Sequence, residues 1–212
     1  MDFIHPLAND YATKFSNATP SYLKEIYDIT LSIHPHAHLQ SSWTQGGFLC
    51  FMSQLLQPKH VLELGTFSGF SAMCLAEGLV SDGQLHTLEL RAEDAAIAQN
   101  NINLSPHKDR IKIHVGDAAE TLQQLTAPWD IVFIDADKVN YVKYYQMIFP
   151  FVKTNGLIIV DNVLFHGEVL SETMKGKNAM AIHAFNEMII ADQQADVVML
   201  TVRDGLSLIR KK

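Results

Sequence analysis

The chain has 212 residues, enough for one domain with a sizeable core. Hydrophobic residues make up 48% and charged residues 18%, a globular balance, and no apolar run approaches the roughly 18 to 20 residues of a membrane-spanning helix. A formal net charge of −7 gives no general footprint for nucleic acid and suits a small neutral or cationic ligand better.

The N-terminal stretch MDFIHPLANDYATKF lacks the basic-then-apolar order of a secretory signal, which predicts a cytoplasmic protein. Residues 20–33 place Leu23, Ile26, Tyr27 and Thr30 at helical spacing, and a second helix is predicted over 45–56. These two helices form an N-terminal cap, residues 1–57. After Pro58 the pattern changes to short apolar strands separated by helical stretches: 60–64, 84–90, 111–115, 130–135 and 156–161. Such alternation predicts a parallel sheet with helices on both faces. A helix around 178–192 precedes ADVVML (195–200) and LSLIR (206–210). The short connection through Arg203, Asp204 and Gly205 implies a hairpin, hence an antiparallel last pair. There is no internal repeat, so residues 1–212 are expected to form a single domain. Cys50 and Cys74 show no disulfide framework or metal spacing and are expected to be ordinary apolar side chains.

In open α/β sheets, ligands bind beyond the C-terminal ends of the strands, near the point where strand order reverses. All five predicted strands close on acids or amides at that edge: Glu63, Glu89, Asp117 after Gly116, Asp135, and Asp161 with Asn162. One acid there could merely cap the next helix. Five along one edge point to a site.

ELGTFSGFS (63–71) is a glycine-bearing turn from strand to helix, in which Gly65 and Gly69 would let a ligand approach the backbone. The dinucleotide fingerprint G-x-G-x-x-G, counted from Gly65, requires glycine where this chain has Phe67 and Phe70. A dehydrogenase-like nucleotide module is therefore disfavoured. Glu89, 24 residues after Gly65, can still accept both hydroxyls of a ribose, so a nucleoside ligand stays open. Asp117 could read an adenine edge or cap the following helix.

Taken together, VLELGTFSGFSAMCLAEGL, the acid in LEL, GDA, FIDADKVNY and DNVLFHG resemble the ordered motifs of the cation-dependent, S-adenosylmethionine-using O-methyltransferases, which include catechol and caffeoyl-CoA O-methyltransferases. The resemblance spans about residues 35–210. It implies a Rossmann-like α/β fold: a seven-stranded, mostly parallel sheet with an antiparallel last strand and an N-terminal helical extension. It further implies that Glu63, Gly65, Thr66 and Ser71 surround the methionine part of the cofactor, Glu89 its ribose, and Asp117 with Ala118 its adenine. Ser41 matches a position that touches the cofactor. Trp43 and Thr44 depart from the family's small and acidic residues there, and Trp43 could simply pack the N-terminal helices onto the sheet.

Asp135, Asp161 and Asn162 offer three oxygen donors, a set suited to a hard cation such as Mg²⁺. The resemblance makes these three the metal ligands, with Asp135 also at the cofactor's edge, and makes Lys138 the general base, its pKa lowered by burial and nearby positive charge. Asp137 is expected to face the cofactor edge or solvent rather than the metal. His34, His36 and His38 look like a metal comb, but rim histidines are the simpler expectation. Asn186 either borders the site or is a helix-face amide, and residues 174–181 have the glycine and charge of a loop able to cover an acceptor. The expected activity is Mg²⁺-dependent methyl transfer from S-adenosylmethionine to a hydroxyl of a catechol-like vicinal dihydroxy aromatic, by a homodimer acting on a small phenol. The alternative is methylation of hydroxylated uridine in tRNA, which the net charge disfavours.

Overall fold

The computed structural model describes residues 5–212. Seven strands, β1 (His60–Leu64), β2 (Gln84–Glu89), β3 (Ile111–Val115), β4 (Trp129–Ile134), β5 (Val152–Asp161), β6 (Ala195–Leu200) and β7 (Leu206–Lys211), form one sheet in the order β3-β2-β1-β4-β5-β7-β6. The pairs from β3 through β5 are parallel, and β7 runs antiparallel to both β5 and β6. The seven-stranded, mostly parallel sheet therefore has the expected antiparallel last strand. Strand order reverses between β1 and β4, which places the ligand crevice of such a sheet at their C-terminal ends.

Alternation along the strands divides the core in two. In β4, Ile131 and Phe133 point to one face while Val132 and Ile134 point to the other, and Leu157 and Ile159 alternate with Ile158 and Val160 in β5. The first face packs against α2 (Leu23–Ile33), α3 (Trp43–Leu56), α4 (Phe70–Ala76) and α5 (Ala92–Ile102), through Leu23, Ile26, Leu49, Phe70, Met73 and Ala98. The second packs against α6 (Ala118–Leu122), α7 (Tyr141–Ile148) and α8 (Lys177–Ala191), through Leu122, Tyr141, Tyr145, Ile182 and Phe185.

The N-terminal cap extends further than its periodicity showed, because α1 (Pro6–Lys14) precedes the two expected helices. Ser42 caps α3, accepting from Gln45 N at 3.2 Å, which starts that helix two residues before the expected boundary. Trp43 follows the simpler of its two expectations. Its ring stacks on Phe70 of α4 and meets Tyr27 of α2 edge-on, while its backbone N donates to Tyr27 Oη at 3.2 Å. β5 is longer than expected: it begins at Val152 and pairs across a register shift between Trp129 and Ile131, with Asn155 at φ 64°. Cys50 and Cys74 are free and buried. None of the described helices is long and apolar enough to cross a membrane.

Candidate active site

A cavity of about 900 Å³ opens at the C-terminal edge of the sheet. Read across that edge in strand order, its wall carries Glu89 from β2, Gly65 and Thr66 after β1, Asp135 and Lys138 after β4, Asn162 after β5, and Arg203 and Asp204 before β7. Three strand steps separate Glu89 from Asn162, roughly 14 Å at the usual spacing between strands.

Glu89 is nearly buried and held by backbone: Oε2 accepts from Phe67 N at 2.8 Å and Oε1 from Arg91 N at 3.0 Å. Each carboxylate oxygen can accept a further hydrogen bond, and Glu89 lines the cavity. Phe67 sits at φ 48°, so the turn is set by this carboxylate and not by glycine alone. Gly65 has a different reason from the one its sequence position suggests. At φ 98° an added Cβ would lie 2.0 Å from the Asp135 carbonyl, so the close neighbour is the chain's own β4. Gly116, φ 137°, is the open one, with nothing within 4 Å of an added Cβ. Asp117 caps α6, accepting from Glu120 N at 3.0 Å, and also lines the cavity with Ala118, so both of its expected roles are geometrically available.

Ser41, Thr66 and Ser71 line the cavity. Glu63 does not. It is fully buried behind the wall, takes the Thr87 hydroxyl on Oε2 at 2.5 Å, and leaves Oε1 without a hydrogen-bond partner. Burial pushes its pKa up to about 8, against the opposing Ser71 and Thr87 hydroxyls; Ser71 lies alongside without good hydrogen-bond geometry to Oε1.

At the β4 and β5 ends, Lys138 Nζ donates to Asp135 Oδ1 at 2.8 Å and to Tyr141 Oη at 2.7 Å, and Tyr141 Oη donates to the Asp161 carbonyl at 3.1 Å. Burial works against the Lys138 ammonium, but the Asp135 carboxylate and Tyr141 outweigh it and hold the pKa above the ordinary lysine value. The expectation of a lowered pKa assumed nearby positive charge, whereas the nearest charge here is the negative Asp135. Asp161 is fully buried and, like Glu63, stands behind the cavity wall. Its Oδ2 accepts from Gln45 Nε2 and its Oδ1 from Asn162 N, both at 2.7 Å. Burial and the neighbouring Asp135 charge push its pKa up to about 6, with Gln45 and Arg203 opposing. Asn162 lines the cavity at φ 60° and donates from Nδ2 to Asp204 Oδ2 at 3.3 Å.

Asp137 is occupied by its own loop, accepting from Tyr144 Oη and Asn140 Nδ2, each at 2.5 Å. His34, His36 and His38 do not converge. His34 accepts the His36 N–H and meets Asp94 at 3.3 Å, only His38 lines the main cavity, and no cluster of three or more His, Cys, Asp or Glu able to hold a metal occurs among the described residues. Asn186 donates to the Val163 carbonyl at 2.9 Å and braces the segment after β5 without lining the cavity. Gln45, Arg203 and Asp204 escaped the sequence reading. The signal for the last two was the hairpin connection itself, which returns to this edge of the sheet.

Sheet order and cavity together define a Rossmann-like α/β fold with its ligand crevice at the point where strand order reverses. A methyltransferase from Podospora anserina, solved SAH-bound, superposes with a TM-score of 0.90 at 29% identity, covering 97% of this chain and 94% of that one. An O-methyltransferase from Bacillus cereus in complex with SAH superposes at 0.89 with 32% identity, covering 97% of each chain. The O-methyltransferase family matches residues 13–212, and the chain belongs to that family. A catechol O-methyltransferase of Niastella koreensis is 36% identical over 173 residues, 77% of this chain and 78% of its own length. Caffeoyl-CoA O-methyltransferase 1 of Eucalyptus globulus is 30% identical over 203 residues, 91% and 82% of the two chains. The protein is an S-adenosylmethionine-dependent O-methyltransferase.

Proposed function

We propose that the enzyme is a divalent-cation-dependent O-methyltransferase that methylates one hydroxyl of a catechol-like vicinal dihydroxy aromatic. The observation that carries this reading is one cavity in which Asp135, Lys138 and Asn162 stand beside the cofactor edge marked by Glu89, Gly116 and Ser41. The chain's residues fit both absent groups. Glu89 keeps lone pairs for a ribose, and Gly116 borders open space, with nothing within 4 Å of an added Cβ. Asp135 and Asn162 present hard oxygen donors at the cavity with Asp161 just behind them, and the Asp135 charge raises the cost of ionising Asp161, a repulsion that a cation relieves. When bound, the cation supplies a positive charge that favours the ionised acceptor hydroxyl, and S-adenosylmethionine supplies the electrophilic methyl.

The remaining steps belong to the protein. Glu89, with Thr66, Ser71 and the turn backbone, orients the cofactor, and Asp117 with Ala118 borders its base. Gln45 and the Asn162 backbone fix the Asp161 carboxylate. Lys138 Nζ receives the acceptor's hydroxyl proton: Asp135 is the charge that keeps it protonated, so a partner that takes up Asp135 frees Lys138 to act as a base. Phe165 offers an apolar ring to the acceptor, and Asn178 at the start of α8 closes the far wall.

The two free, buried cysteines support work in a reducing compartment, here the cytoplasm. Leu7 and Tyr11 of α1 and Phe15 at its C-cap, four residues apart, are all about two-thirds exposed, and Phe51 and Leu55 of α3 are similarly open. Such a stripe supports a homodimer built on the helical cap of a single-domain protomer. The test of the activity is labelled methyl transfer to catechol, with chelator and then with added Mg²⁺. Turnover should vanish and return; full activity after exhaustive chelation rejects the cation, and methylation of hydroxylated tRNA without catechol turnover rejects the acceptor class.

A further inference from the structure

One cation in the cavity wall lacks a carboxylate. Arg203 lies in the β6–β7 connection at φ 51° and bonds only to neutral acceptors, Nη1 to Gln45 Oε1 and Nη2 to the His38 carbonyl, each at 3.2 Å. No carboxylate oxygen of the described residues forms a salt bridge with it, whereas the other strongly basic side chains of the cavity are paired, Lys138 with Asp135 and Arg91 with Glu89 and Asp94. A guanidinium carries five N–H donors in a planar fork; two are used, and the rest match a carboxylate.

Its connection adjoins the segment after β5, where Val163 and Leu164 donate to the Gly205 and Asp204 carbonyls. Asp204, the next residue, receives the amide of Asn162, and Phe165 and His166 line the same stretch. The competing account makes Arg203 a counter-charge for buried Asp161. Gln45 already contacts that carboxylate directly at 2.7 Å, so the guanidinium stands one side chain removed and partly open to the cavity.

We propose that the acceptor is a vicinal dihydroxy aromatic bearing a carboxylate, and that Arg203 binds this carboxylate and thereby sets acceptor specificity. The inference rests on the catechol reading above and narrows it. It asks nothing of the transfer step itself, since the carboxylate is held, not changed.

The experiment compares kcat/KM for 3,4-dihydroxybenzoate and its methyl ester in the wild type, Arg203→Gln and Arg203→Lys. The wild type should prefer the acid about tenfold, mainly through KM, the scale of one hydrogen-bonded charge pair. Arg203→Gln should erase that preference, and Arg203→Lys should keep part of it, as a point charge without the fork. A wild type that uses the ester as well as the acid overturns the proposal. So does an Arg203→Gln variant that loses both acceptors equally, which is the counter-charge result. If Arg203→Gln fails to fold, the wild-type ratio and the lysine variant decide. Transfer to the ester without acid preference sinks only the carboxylate; transfer to neither, with cofactor binding intact by calorimetry, sinks the catechol reading with it.

Discussion

Lys138 is held by two contacts of opposite character, a carboxylate at 2.8 Å and a phenol at 2.7 Å. If it is the base, Lys138→Ala should slow single-turnover methyl transfer by ~10²- to 10⁴-fold while cofactor binding survives. The loss should shrink for a nitrocatechol, whose hydroxyl is already acidic. Lys138→Arg should rescue little, because a guanidinium stays protonated; full rescue would reduce the residue to an electrostatic role. Glu63 makes a different prediction, about stability. Its folded pKa of about 8 lies above the ordinary 4.5, so between these values the folded state binds more proton than the unfolded chain. Its contribution is full below about pH 4.5 and is lost as pH rises through about 8. Urea unfolding at pH 5, 7 and 8.5 should show stability falling with pH in the wild type. Asp161, raised to about 6, should leave only a smaller fall in Glu63→Gln. Parallel curves for the two proteins would contradict the buried, proton-bearing Glu63.

At the scale of elements, the site depends on how closely β1 and β4 approach at their ends. Gly65→Ala places a methyl 2.0 Å from the Asp135 carbonyl at a positive φ, and the strand ends must part to admit it. A loss of about 2–4 kcal/mol is expected from strain and overpacking together, read from denaturant midpoints, along with weakened cofactor binding. A neutral Gly65→Ala would mean that the approach is not needed. α3 acts in two directions: Trp43 locks it to Tyr27 and Phe70, and Gln45, two residues on, reaches Asp161. The helical cap is thus part of the site's support, which its position ahead of the first strand did not reveal.

For the whole molecule, the exposed Leu7, Tyr11 and Phe15, with Phe51 and Leu55 of α3, are expected to close on a second copy. Sedimentation at micromolar concentration should give a dimer, and Phe51→Glu should shift it to monomer; a monomeric wild type would refute the assembly. S-adenosylmethionine should raise the thermal midpoint and NAD should not, because the turn carries Phe67 and Phe70 in place of the dinucleotide glycines.

The order of elements, the antiparallel last strand and the line of acids at the strand ends were all legible from residues alone, because side-chain period and turn chemistry are local properties that a parallel sheet aligns along one edge. Depth was not legible. Glu63 and Asp161 read like Glu89 and Asp135, yet packing put the first pair behind the wall and the second pair in it. Nor was the charge environment of Lys138, nor the arrival of Gln45, Arg203 and Asp204 at the site, 116 residues of chain separating Gln45 from Asp161. Burial and long-range pairing depend on what surrounds a side chain from every direction, and only the assembled layers decide that.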